Sequence, residues 1–132
     1  MSKRLSLTRA LVASLGLSGL GLAQDAPSFN NDIQPILDAR CVVCHMTGAA
    51  QGELALEAGT SYQALVGIPS TQSELLRVKP GDPTNSYLVH KLEGTQGEVG
   101  GSGTQMPQGT GALPQDQLDL IVRWIEAGAH DN

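Results

Sequence analysis

The sequence predicts an all-α fold of three to four helices joined by long loops, and three observations carry that expectation. Leu118, Ile121, Val122 and Ile125 recur at i, i+3, i+4 and i+7, an apolar stripe at helical period. Asp82-Pro83 and Gly94 punctuate a second helix, with Asp as the cap, Pro at the first position and Gly as the stop. No stretch alternates long enough to build a sheet; only Leu54 and Leu56 hint at a brief extended piece.

Taken in order, the chain opens with a basic segment holding Lys3, Arg4 and Arg9, followed by an apolar run from Ala10 to Leu22. Small residues at Gly21 and Ala23 suit a cut after residue 23. Residues 1–23 therefore read as a secretory signal peptide, and the run is too short and Gly-rich for a comfortable membrane span. An uncleaved anchor is the alternative. Residues 24–132 read as one small domain, exported to the periplasm or secreted, with no stable membrane insertion expected.

Within that domain, Ser28, Asn30 and Asn31 suit a helix start, and Pro35 is tolerable only near one. Ile33, Ile36, Leu37, Cys41 and Cys44 fall near one stripe, so the first helix is expected to run into the cysteine pair. Residues 46–60 read as loop, and Tyr62 to Val66 as one helical turn ended by Gly67. The stretch from Ile68 to Val78 reads as irregular, anchored by Leu75 and Leu76. The helix from Asp82 reaches Leu92 or Glu93, the Gly-rich 97–111 stretch is a loop, and Pro114 starts the last helix, with Gly128 ending it.

Charge and composition limit the functions available. The whole chain carries −5. Removing residues 1–23 takes away three cations and no carboxylate, which leaves five cations against thirteen carboxylates, a balance of −8. Such a domain is a poor partner for nucleic acid or anionic lipid. Phe29, Tyr62, Tyr87 and Trp124 are its only aromatic residues. That is little bulk for a domain whose size already makes it marginal, and it suits a fold packed on a large apolar cofactor.

The chemistry concentrates at Cys41-Val42-Val43-Cys44-His45. Two thiols three positions apart suit thioether bonds to the two vinyl groups of a haem, and the following imidazole suits ligation of its iron. Alternatives are a disulfide, which would close too small a loop to staple much, and a zinc site, for which only His90 and His130 remain as further His or Cys ligands. A thioredoxin-like pair would require a βαβ setting that is absent from the pattern. For the sixth iron position a thioether would stabilise reduced iron. Met46 is too close to His45 to reach the other face, which leaves Met106 on its loop, stiffened by Pro107; an ordinary packing Met is the other reading. His90 competes as a ligand, although a mid-helix His beside Lys91 reads more simply as solvent-facing. His130 reads as a spectator in a frayed end, and Trp124 as the edge of the last helix's stripe. Arg77, Lys79 and Lys91, and less directly Tyr62 and Tyr87, are candidates to meet the haem propionates.

These segments together resemble a class I c-type cytochrome. Phe29 to Leu37, Cys41 to His45, Arg77 to Leu92, Gln105-Met106-Pro107 and Trp124 to Ala129 are similar to the planctomycete-type cytochrome c domain. The resemblance implies a cytochrome c-like fold around one covalently attached haem c, with Cys41 and Cys44 as thioether sites, His45 as proximal ligand and Met106 as distal ligand. The implied function is a periplasmic monohaem carrier of single electrons, not an enzyme, that meets redox protein partners transiently. The alternatives are a haem subunit of a larger dehydrogenase or oxidase, or an open-site haem enzyme or gas sensor if Met106 is not a ligand.

Overall fold

The computed structural model describes residues 25–132, so residues 1–23, for which the sequence raised the expectation of a signal peptide, lie outside the described residues. Among these, four α-helices form: α1 (Gln34–Arg40), α2 (Ser61–Leu65), α3 (Tyr87–Glu93) and α4 (Gln115–Glu126). Short π and 3-10 turns accompany them, and the β-structure among the described residues is limited to isolated bridges. The all-α class expected from the sequence holds, and no described helix is long and apolar enough to cross a membrane.

The first helical stretch is less regular than its apolar stripe implies. Ser28 caps it by accepting from the Asn31 backbone N–H at 3.2 Å, and a wide π-type turn over Phe29–Ile33 leads into α1. Phe29, Ile33, Ile36 and Leu37 form its buried face. The helix does not continue through the cysteines: Cys41 leaves helical geometry at φ −125°, and residues 41–45 wind on as tight turns. Val42 and Val43 contribute here, because branched side chains propagate a helix weakly. Val42 packs against the core while Val43 stays 80% exposed.

The one-turn helix expected near Tyr62 is α2, and Gly67 beyond its end has φ +72°. In the irregular segment that follows, Val78 is the fully buried anchor, whereas Leu75 and Leu76 are only half-buried. The reason is pairing: Gly67 N–H donates to Val78 O at 2.9 Å, Val78 N–H to Leu65 O at 3.1 Å and Tyr87 N–H to Leu76 O at 2.9 Å. The backbone of 76–78 is thereby stitched between the end of α2 and the start of α3.

Asp82 and Pro83 open a helical turn, but the turn stops at Asn85 and α3 begins two residues later. Ser86 makes the break. It is extended and fully buried, and its hydroxyl accepts from Lys79 N–H at 2.8 Å while donating to Asp82 O at 2.9 Å. A serine hydroxyl competing for backbone partners commonly interrupts a helix. Gly94 ends α3 in the left-handed region, as expected. The loop beyond it contains a 3-10 turn at Gln96–Val99.

Helix α4 begins after Pro114, buries Leu118, Ile121, Trp124 and Ile125, and is followed by Gly128. Trp124 is central rather than peripheral: it is 1% exposed, and its ring centroid lies 5.1 Å from that of Phe29. Tyr62 adds an edge contact to Phe29 at 5.2 Å. The end of the chain is not frayed. His130 O accepts from the Trp124 indole at 2.9 Å, Ala129 O from the Tyr62 hydroxyl at 2.9 Å and Asn132 O from Asn30 N–H at 2.9 Å. The tail thus ties α4 to the start of the first helical stretch.

Candidate functional site

A cleft of about 400 Å³ opens between the α1–α2 connection, α3 and the loop after it. Cys41, Cys44, His45 and Met106, all singled out in the sequence, line it together. Leu54, Leu56 and Leu65 add apolar surface from the connection and α2, and Leu88 and Leu92 do so from α3.

Charge is distributed unevenly around this cleft. Arg40, Arg77 and Lys91, three of the five cations in residues 24–132, line it, and none of the thirteen carboxylates does. Within an acidic domain this arrangement favours an apolar ligand that also carries negative charge. Lys79 is not among the lining residues; it pairs with Asp82 at 2.8 Å instead. Tyr62 also lies elsewhere, in the aromatic cluster. Tyr87 does line the cleft, with its hydroxyl 3.0 Å from Gln72 Oε1, and burial raises its pKa.

His45 is oriented by the backbone. Its Nδ1 lies 2.9 Å from Gln51 O and 3.2 Å from Leu54 O. Carbonyls only accept, so Nδ1 is the donor; in the neutral ring Nε2 then keeps its lone pair, the tautomer required of a metal ligand bound through Nε2. The His45 backbone joins the same segment, since Leu56 N–H donates to His45 O at 2.7 Å. No disulfide joins Cys41 and Cys44. Burial pushes the Cys41 thiol up to about 11 against the opposing pull of Arg40, with Cys44 adding to the rise, while Cys44 itself is exposed. Among the described residues no group of three or more His, Cys, Asp or Glu is placed to hold a metal ion.

Met106 is half-buried on a loop fastened to α3. Its N–H donates to Lys91 O at 2.9 Å, and Gln105 Nε2 to Leu92 O at 2.7 Å. Lys91 Nζ donates to Ser102 O at 2.8 Å, and burial lowers its pKa. Gly101 packs so closely on Tyr87 that an added Cβ would lie 2.5 Å from the hydroxyl oxygen. His90 is not among the residues lining the cleft, and it is not simply solvated. It is half-buried, with Nδ1 2.8 Å from Thr95 Oγ1 and Nε2 2.9 Å from Thr84 O. Both ring nitrogens are therefore engaged in holding the two ends of α3.

The carbonyls of Gln51 and Leu54 escaped the sequence reading, because a backbone acceptor carries no residue-type signal. Arg40 was legible only as the residue preceding the cysteine motif.

Fold and site together define an all-α domain whose Cys-x-x-Cys-His segment opens on a cationic, largely apolar cleft. No family model matches the sequence, and no curated protein matches it. Among solved structures the chain is similar to hydrazine synthase of Kuenenia stuttgartiensis, with a TM-score of 0.51 and 26% identity. That similarity covers 78% of this chain and 16% of the other, so this chain spans a small fraction of that protein's length.

Proposed function

We propose that this protein is a monohaem c-type cytochrome that carries single electrons between redox proteins outside the cytoplasm. The observation that carries the reading is one cleft lined by both thiols, an imidazole with Nδ1 turned onto carbonyls, and a thioether. In this reading Cys41 and Cys44 would hold haem c by thioether bonds, and His45 Nε2 and Met106 sulfur would ligate its iron. The bound haem would supply an iron that changes oxidation state by one electron without leaving the protein. The chain's residues supply the rest. His45 and Met106 would hold the iron between them, and the apolar lining would exclude water. Arg40, Arg77 and Lys91 offset the propionate charge. The signal-peptide reading of residues 1–23 supports a periplasmic or secreted location.

Mass spectrometry of protein exported from a host with intact cytochrome maturation tests this directly. The expected mass is that of the chain cut after Ala23 plus one haem. A colourless product without the adduct would refute the reading. A second reading, a haem module of a larger redox assembly, is favoured by the likeness to a much longer chain. Co-purification of a fixed partner from the native cell would select it.

A further inference from the structure

We propose that Arg77 is the positioning residue of His45, acting through four consecutive backbone carbonyls. The inference rests on the haem reading only in taking His45 to be an iron ligand.

Residues 51–54 form a turn whose carbonyls are divided between two side chains. The outer pair, Gln51 O and Leu54 O, face His45 Nδ1 at 2.9 and 3.2 Å. The inner pair, Gly52 O and Glu53 O, accept from Arg77 at 3.2 and 3.3 Å, both from the same terminal nitrogen. The other terminal nitrogen donates to Ala64 O in α2 at 2.9 Å. One rigid fork therefore links the turn to a helix, which a lysine with its single point charge would not reproduce.

The turn requires such an external hold. Gly52 has φ +65° and Glu53 has φ +56°, so two successive residues sit in the left-handed region. Glycine accepts that geometry freely, but glutamate does not. A non-glycine residue persists there when its surroundings impose it. Besides Arg77, the turn is held by its own backbone, Glu53 N–H to Ala50 O at 3.2 Å and Leu54 N–H to Gln51 O at 3.4 Å, and by two long contacts at 3.5 Å, Gln51 N–H to Cys44 O and Thr71 Oγ1 to Gly52 O. Arg77 is the one side chain that takes both inner carbonyls at once. Arg77 itself is well anchored: its N–H donates to Ile68 O at 2.7 Å, and its carbonyl accepts from Leu88 N–H at 2.9 Å. The route from the 66–69 segment and α3, through the guanidinium and the turn, to the imidazole is thus continuous. Because hydrogen bonding at Nδ1 sets both tautomer and ring orientation, releasing the turn should loosen His45 as a ligand.

The test uses the exported full chain in its reduced form and follows the His45 ring Nδ1–H by nitrogen-edited NMR. Arg77→Lys and Arg77→Met should each speed exchange of that proton with solvent by about tenfold or more. Glu53→Gly, which removes the unfavourable backbone geometry, should bring the Arg77→Lys rate back to within about threefold of the native protein. If exchange stays within about twofold of native in Arg77→Lys while thermal stability falls, Arg77 is a structural staple and the proposal is overturned. Arg77→Lys keeps the charge and most of the volume, so it decides the matter alone if Arg77→Met fails to accumulate. Mass spectrometry of the same samples separates the two claims. An adduct with Arg77-independent protection defeats the positioning role, whereas Arg77-dependent protection without an adduct defeats the haem reading alone.

Discussion

Gly101→Ala should loosen the loop that carries Met106, and the structure supplies the magnitude. An alanine Cβ at this position would lie 2.5 Å from the Tyr87 hydroxyl oxygen, 2.6 Å from Tyr87 Cε2 and 2.8 Å from Gln96 O. All three separations are below van der Waals contact. The carbonyl cannot retreat without releasing Gly101 N–H, which it accepts at 2.8 Å, so Tyr87 must move. Its ring is buried and its hydroxyl is held by Gln72, which makes that movement unfavourable. Overpacking of this kind costs about 1–3 kcal/mol, and loss of the tyrosine hydrogen bond adds about 1 kcal/mol. The stiffer unfolded chain returns only about 0.4–1 kcal/mol. The steric term wins, with a net loss of about 2 kcal/mol, or roughly 8 °C in melting temperature for a domain of this size. Thermal unfolding followed by circular dichroism reads the shift. Gly97→Ala is the control, because its Cβ would meet nothing within 4 Å; it should be neutral or slightly stabilising. Equal melting temperatures for Gly101→Ala and Gly97→Ala would refute the packing argument.

Three further perturbations follow from the same contacts. Under the proposed haem ligation, Met106→Ala should abolish the weak far-red absorption band expected of the oxidised protein and lower its reduction potential, since a thioether favours reduced iron; an unchanged band would refute Met106 as the ligand. Trp124→Ala removes the largest fully buried side chain together with its bond to His130 O, and should cost about 3–5 kcal/mol in denaturant titration. A loss below about 1 kcal/mol would mean that the aromatic cluster is not the centre of the core. The Thr47 backbone N–H, with a smaller contribution from the Thr47 hydroxyl, holds the Glu57 carboxylate below its ordinary pKa. A depressed folded pKa stabilises above the unfolded value, near about 4.3, and that contribution is lost as pH falls through the folded one. Glu57→Gln should therefore be less stable than native at neutral pH and lose less stability below about pH 4; parallel acid limbs would exclude this contribution.

The hydrogen bonds of His90 show how local reading and tertiary contact diverge. A histidine beside a lysine in mid-helix looks solvated, yet Thr84 O and Thr95 Oγ1 engage both ring nitrogens. Those partners lie only five and six residues away, but they meet the ring only because the chain turns at Ser86 and again at Gly94. His130 diverged for a similar reason. Its side chain is exposed as expected, while its carbonyl closes the core over Trp124.

By itself, the sequence determined what depends on residue type and spacing. That includes the all-α class, the stops at Gly67 and Gly94, the amphipathic last helix and the Cys41, Cys44 and His45 motif. Each arises from interactions within a few residues, such as a cap, a period or a left-handed glycine. Tertiary structure alone decided that Val78 rather than Leu75 or Leu76 anchors the middle, that Arg77 reaches the turn beside His45, and that Met106 lines the same cleft as the cysteines. These depend on backbone carbonyls and on segments up to sixty-five positions apart meeting in space. A carbonyl is identical at every residue, so its partner is set by where the fold brings the chain together and not by what the chain spells.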